Sequence, residues 1–348
     1  MKKLFGRITD WEHWPFKVLY APISVVWLWY IIRSGSVWFF TPSNPKLTFG
    51  GMEGEPKKEM YDLLPEYLYP RTTNVCPTDA FDQVQHRIAE AKLNFPLIVK
   101  PEVGGQGILF RKLDSEAELK NYHQKTPFEY IIQQLVTYPM EVSIFYYRYP
   151  DQPKGTITGF LHKIPLQVTG NGSSTLKELI LQHPKAFKRV DELEPKHGMN
   201  FDKILPAGEV FKLSYAANHN RGASFIDLRN QIDQKLISVI DDISTRVDDF
   251  FYGRYDIMCT NVDDLKDQRN FTILEYNGCG AEPNHFYDTG YTLIEAYKEI
   301  LMHWKVLYRI SRYNYKRGIK YWPFMKGWRF LTNTKKYMSR MKIADKQI

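Results

Sequence analysis

Two short stretches constrain this chain more than anything else in it. Gly253-Arg254-Tyr255-Asp256-Ile257-Met258 and Phe271-Thr272-Ile273-Leu274-Glu275-Tyr276-Asn277-Gly278 each place two polar residues two positions apart within strand-like sequence. Successive strand side chains fall on opposite faces, so Arg254 shares a face with Asp256, and Glu275 with Asn277. If the two strands pair, four polar side chains converge between apolar neighbours. Burying such a cluster is costly without a cation, and its oxygen donors suit Mg2+ shared with phosphate oxygens. The other reading is an ordinary hairpin with one solvated polar face.

A second stretch, Val99-Lys100-Pro101-Glu102-Val103-Gly104-Gly105-Gln106-Gly107, ends an apolar strand in a lysine and a glycine turn. An ammonium group and the backbone N–H groups of such a loop can hold phosphate oxygens. No Gly-Lys-Ser/Thr follows, so this is not a Walker A loop, and the spacing matches neither the kinase nor the dinucleotide-binding glycine pattern. Taken alone, the stretch reads equally well as a plain hairpin turn.

The order of these elements is more specific than either one. The lysine-proline glycine loop is followed by Gln133-Gln134-Leu135-Val136, then Glu141, Lys163, Arg254-x-Asp256 and Glu275-x-Asn277. This order resembles the ATP-grasp superfamily, and within it the carboxylate–amine ligases of the D-alanine–D-alanine ligase and cyanophycin-type or glutamate-adding kind. The resemblance spans roughly residues 96–297 and includes the Val-Thr-Gly-Asn-Gly stretch from Val168. It implies an α+β fold in which two lobes with antiparallel sheets grip ATP. It further implies that Lys100 and Lys163 contact the ATP phosphates and that Gly104, Gly105, Gln106 and Gly107 form a lid over them. Gln133, Gln134, Leu135 and Val136 would run along adenine, and Glu141 would hold the ribose hydroxyls. Asp256, Glu275 and Asn277 would bind Mg2+ (or Mn2+), while Arg254 and Lys163 would serve catalysis. Arg221, in Asn218-His219-Asn220-Arg221-Gly222, could grip a substrate carboxylate together with Arg254. Gln133-Gln134 departs from the family pattern, in which an acidic residue followed by lysine is common there.

The organisation expected around these motifs is a membrane-associating segment (1–44), a linker and reduced pre-ATP-grasp region (45–90), the ATP-grasp domain (91–302) and a basic aromatic tail (303–348). Apolar periodicity predicts helices over 79–93, 173–181, 231–251 and 292–308, and strands over 95–101, 108–110, 129–136, 141–149, 155–168, 255–260 and 271–276. With 348 residues, 43% hydrophobic and 25% charged, the composition is that of a globular chain with two or three lobes rather than a disordered one. The three cysteines, Cys76, Cys259 and Cys279, form no CxxC pair. A disulfide framework or cysteine zinc site is therefore not expected, and a reducing, ATP-containing compartment fits.

Residues 18–32 form an apolar run interrupted at Arg33-Ser34-Gly35-Ser36 and resumed at Val37-Trp38-Phe39-Phe40. It is open to three readings: a single span with Arg33 snorkelling, a monotopic hairpin or interfacial helix, or a buried core helix. Lys2, Lys3, Arg7 and Lys17 precede it, and positive flanks stay cytoplasmic. Because an ATP enzyme needs its body on that side, the hairpin or interfacial reading, at the cytoplasmic face of the membrane, is preferred. The net charge of +8 is carried by residues 303–348, where about thirteen Lys/Arg face one acid, Asp345. Basic residues interleaved with aromatics suit an anionic membrane; nucleic acid is not the expected partner. The expected function is ATP-dependent ligation of a small or lipid-linked carboxylate to an amine. An ATP-grasp phosphotransferase and a non-catalytic nucleotide-binding membrane adaptor are the alternatives.

Overall fold

The computed structural model describes residues 11–105, 107–247 and 250–347. The expectations placed on Lys2, Lys3, Arg7 and Gln106 lie outside these residues. The architecture is α+β with antiparallel sheets, as expected. Strands β1 (Thr72–Val75), β2 (Leu97–Pro101), β3 (Arg111–Leu113) and β4 (Tyr130–Gln134) form one sheet in the order β1-β4-β2-β3. The chain then continues through β5 (Met140–Tyr147), β6 (Thr156–Ile164), β7 (Gln167–Thr169), β8 (Val210–Lys212), β9 (Ser224–Asp227), β10 (Tyr252–Cys259) and β11 (Phe271–Asn277). These make a five-stranded sheet, β11-β10-β5-β6-β9, and a separate β7-β8 ribbon. Every pairing is antiparallel.

The alternation of the five-stranded sheet decides what lies on each side. Val142, Ile144, Tyr146, Phe160, Tyr255, Ile257 and Ile273 face a core shared with the Gln234–Arg246 helix, through Leu236, Ile240 and Ile243. The intervening residues Glu141, Ser143, Lys163, Arg254 and Asp256 therefore face the other way. That helix is shorter than the periodicity suggests. The Asp233 carboxylate accepts from Leu236 N–H and fixes its start, and Val247 leaves helical geometry at its end. The β3 strand begins at Arg111 rather than at Ile108, because Leu109 takes a left-handed conformation (φ 55°) and turns the chain first.

Residues 41–52, expected to end the membrane-associating segment and begin the linker, instead form part of the core wall. The Asn44 side chain donates to the carbonyls of Gly50 and Tyr252 and accepts from the N–H groups of Phe251 and Tyr252. The backbones at Gly51 and Gly278 approach so closely that a Cβ on Gly51 would stand 2.7 Å from Gly278 Cα. Trp38, Phe39, Phe40 and Phe49 pack into the same aromatic core. The apolar run that resumes after Arg33 is thus interior to the protein.

The basic C-terminal stretch is also folded. The Leu293–Lys316 helix, started by a Thr292/Glu295 capping box, runs past residue 302, and a second helix spans Phe324–Ala344. At its far end Met341 is fully buried with Ile108, Leu109 and Phe128. The Asp345 carboxylate accepts from Leu109 N–H (2.8 Å) and from Arg111 Nη1 (3.0 Å).

Candidate functional site

The polar face of the five-stranded sheet carries one continuous row. Arg254 pairs in register with Asn277 and Asp256 with Glu275, across β10 and β11. On the other side of β10, Asp256 pairs with Ser143, and Glu141 pairs with Lys163 across β5 and β6. The Lys163 ammonium donates to Glu141 Oε1 at 2.6 Å and lies 3.3 Å from Asp256 Oδ1. Arg254 Nη2 and Asn277 Nδ2 donate to Asp256 Oδ2 at 3.3 and 3.4 Å. Arg254 Nη1 donates to the Glu282 carbonyl. The four residues picked out by spacing are therefore brought together with Glu141 and Lys163, which the resemblance supplied.

Burial works against the charge on Asp256, yet Arg254 and Lys163 outweigh it and hold the carboxyl below its ordinary range. Burial likewise opposes the Lys163 ammonium, but Asp256 and Glu141 keep its pKa above the usual lysine value. Asp256 Oδ1 nevertheless lacks a well-aligned hydrogen bond although it is buried. Glu275, half-buried beside it, has no side-chain hydrogen bond among the described residues. A buried carboxylate oxygen without a full hydrogen bond, a second carboxylate in register and an amide oxygen are the donor chemistry of a hard divalent cation, so Asp256, Glu275 and Asn277 fit the Mg2+ that the sequence suggests.

The four-stranded sheet supplies the opposite wall. Lys100, on β2, donates to the Tyr61 hydroxyl at 3.2 Å. Burial lowers its pKa, while the charges of Glu275 and Glu141 pull it back up. Gln133, on β4, is buried and donates to Tyr61 Oη and Thr72 Oγ1, both at 2.8 Å. Gln134 accepts from Arg71 Nε, and Leu135 and Val136 lead half-buried from β4 towards β5, joining the two sheets. Gly104 and Gly107 have positive φ, and Gly104 lies against Met341.

Arg221 ends the short His219–Arg221 turn between β8 and β9. It pairs with Glu192 of the Val190–His197 helix and passes close to Gly107.

The sequence reading missed the short helix Lys57–Leu63. Lys57 donates to the Gly104 carbonyl at 2.9 Å, and burial lowers its pKa against the opposing pull of Glu275. Tyr61 bridges Lys100, Gln133 and the Leu274 carbonyl. The available signal was an apolar pair, Met60-Tyr61, following Pro56 and two lysines in a region otherwise rich in Gly and Pro. A pocket of about 260 Å³ adjoins the Arg254 end of the row, with Lys185, Lys188, Glu282 and Tyr287 among its lining residues.

No family model matches the chain. Over 137 residues it is 26% identical to a glutathione biosynthesis bifunctional protein of Clostridium perfringens, covering 35% of this chain and 18% of that protein. Among solved structures it is similar to the D-alanine–D-alanine ligase of Bacillus anthracis (13% identity, 78% of this chain and 72% of that one, TM-score 0.43). It is also similar to the VanG D-Ala:D-Ser ligase of Enterococcus faecalis (13% identity, 75% and 62%, TM-score 0.41). A third is a bifunctional glutathione synthetase of Pasteurella multocida (12% identity, 72% and 36%, TM-score 0.38). By name, two of the structures are ligases and the third is a synthetase. The chain spans about a fifth of the curated relative and about a third of the glutathione synthetase, and the likenesses are partial.

Proposed function

We propose that the chain is an ATP-dependent carboxylate–amine ligase working at the cytoplasmic face of a membrane. The observation that carries the reaction is the buried row Lys163–Asp256–Arg254, with Glu275 and Asn277 alongside and Lys100 facing it from the other sheet.

In this reading residues 91–302 form the nucleotide-gripping unit. Lys100, Lys163 and the glycine loop hold the phosphates, the 133–136 segment lies along the base, and Glu141 accepts from the ribose hydroxyls. Asp256, Glu275 and Asn277 would hold Mg2+, which supplies neutralisation of phosphate charge. A substrate carboxylate oxygen attacks the γ-phosphorus, the bond to ADP breaks, and an acyl phosphate forms. A neutral amine then attacks the acyl carbon, phosphate leaves, and the amine proton passes to solvent. Arg254, fixed by Asp256 and the Glu282 carbonyl, faces the developing negative charge in both steps. The adjoining pocket, lined by Lys188 and Arg189 together with Glu12 and Glu282, is where a small or lipid-linked substrate would sit.

The membrane reading rests on exposed apolar surface. Among the described residues, Phe16–Ser34 is long and apolar enough to cross a membrane by length and composition, and 11% of its most apolar window is buried. Val25, Leu28, Trp29 and Ile32 share its outer face, with Ile32 64% exposed. Trp38 stacks on Phe324 and donates to its carbonyl, so exposed Phe324, Met325 and Trp328 lie next to this segment. Lys17, Arg33, Lys320, Lys326 and Arg329 are all exposed around it. Such a face suits an anionic bilayer surface.

The deciding experiment incubates the full chain with ATP, Mg2+ and pooled carboxylates, amines and lipid extracts, and reads the products by mass spectrometry. ADP, phosphate and a product equal to the two substrates minus water support the ligase. ADP with a phosphorylated product and no new C–N bond replaces it with the phosphotransferase. Nucleotide binding without turnover on any pool replaces it with the adaptor.

A further inference from the structure

A cluster that the proposed reaction does not use lies farther along the same sheet face. His285 Nε2 stands 2.9 Å from Glu299 Oε1, and His303 Nε2 stands 3.2 Å from the same oxygen. All three donor atoms fall within 4.8 Å of one another. The two imidazoles are 1% and 0% exposed, whereas the Glu299 side chain keeps 20% of its surface.

We infer that His285, Glu299 and His303 form a binding site for one transition-metal dication, with zinc the best match. A plain ion-paired cluster would leave a buried nitrogen poorly paired. His303 Nε2, buried, is close to Glu299 Oε1 but makes no well-aligned hydrogen bond to it, and such a loss is costly. One carboxylate oxygen aimed at two ring nitrogens satisfies a metal better than it satisfies two imidazoles. Two imidazoles and a carboxylate also match a zinc ligand set and discriminate against Mg2+.

The donors are held rigidly. Glu299 and His303 are one turn apart on the Leu293–Lys316 helix. His303 Nδ1 lies 3.2 Å from Tyr252 Oη, the kind of outer contact that orients a ligating ring. Phe145 packs edge-on against His303 with centroids 4.4 Å apart. His285 sits flat on Gly159, where a Cβ would come within 2.2 Å of its ring, so only glycine admits it there. The open side of Glu299 leaves a position for water as fourth ligand.

Placement gives the site its role. Gly159 and Phe145 are register partners on β6 and β5, and Ser143, two residues away on β5, faces Asp256. Asn284, next to His285, donates to Ser143 Oγ. A metal here ties the Leu293–Lys316 helix to the Asn284–Phe286 turn, which packs on Gly159 of β6, the strand that carries Lys163. It is structural, and separate from the oxygen-donor site.

The test uses full-length protein purified without a metal-affinity tag or chelator. Elemental analysis is expected to give about one zinc per chain, held by three protein ligands and a water. X-ray absorption should show two imidazoles in its shell. Stripping with a chelator should lower Tm by roughly 5 °C, restored by zinc and not by Mg2+. Glu299→Gln, with an unchanged circular dichroism spectrum, should lose the metal, whereas Asp256→Asn should keep it. Protein that is metal-free as purified, with Tm indifferent to added zinc, overturns the inference. So does a zinc shell without imidazole, a reading that needs no variant to fold.

Discussion

The Lys163 ammonium stands 2.6 Å from the Glu141 carboxylate, and the two residues are direct register partners on β6 and β5. Hydrogen-bonded backbones fix the distance between them, so the ion pair needs little side-chain ordering. Asp256 completes it from β10. Removing one partner of a buried pair strands the others, at a cost of about 3–5 kcal/mol. Lys163→Met should therefore lower unfolding stability in urea by that order and abolish ADP binding by calorimetry. A variant as stable as the parent would mean that the three groups do not act as a unit.

Glu275 offers a cleaner probe of the metal function, because its carboxylate holds no ion pair in the row. Glu275→Gln should keep the fold by circular dichroism while slowing ATP turnover by about 100-fold or more, the loss typical of a group that stabilises transition-state charge. The Mg2+ concentration giving half-maximal rate should rise in parallel. Unchanged Mg2+ dependence would remove Glu275 from the ligand set.

Lys57 and Lys100 set a pH dependence. Burial lowers both pKa values below the ordinary lysine value, with Glu275 opposing. Between the lowered value and the unfolded one, the folded chain binds fewer protons than the unfolded chain, so stability rises with pH through that window. Nucleotide phosphates act the other way by favouring the ammonium forms. ATP binding should then take up protons in the alkaline range, and affinity should fall as pH rises through it. Calorimetry in buffers of different ionisation enthalpy measures this uptake. Affinity that is flat up to about pH 10 would contradict it.

The exposed face of the N-terminal helix gives a fourth prediction. Leu28→Ser, Trp29→Ser and Ile32→Ser together remove three outward side chains that are each more than half exposed. The triple variant should keep its Tm within about 2 °C, as surface changes do, and lose co-sedimentation with anionic vesicles. Wild-type protein that stays in the supernatant at low salt would dispose of the membrane proposal.

The site was more legible in the sequence than the frame around it. Arg254, Asp256, Glu275 and Asn277 were readable because strand alternation is local: spacing of two sets a shared face, and two such strands close in sequence pair. Lys57 and Tyr61 were not, because their part in the site depends on a short helix docked across both sheets, and no local pattern encodes that docking. The end of the Gln234–Arg246 helix was also misjudged, since apolar residues continue past Val247 into the core without helical backbone. Residues 41–52 read as linker from their Gly and Pro content. Their burial rests on the side-chain bonds of Asn44 to residues some two hundred positions away.

The Phe324–Ala344 helix has one further consequence. Its first turns expose Phe324 and Trp328 to the outside, while Met341 fills the space beside Gly104 and Asp345, just past its end, holds Leu109 and Arg111. At 1.5 Å per residue, its 21 residues span about 30 Å. The helix is thus a stiff rod with one end on the outer face and the other beside Gly104 and Leu109. A tilt imposed at the aromatic end would, through that rod, bear on Gly104 and Leu109.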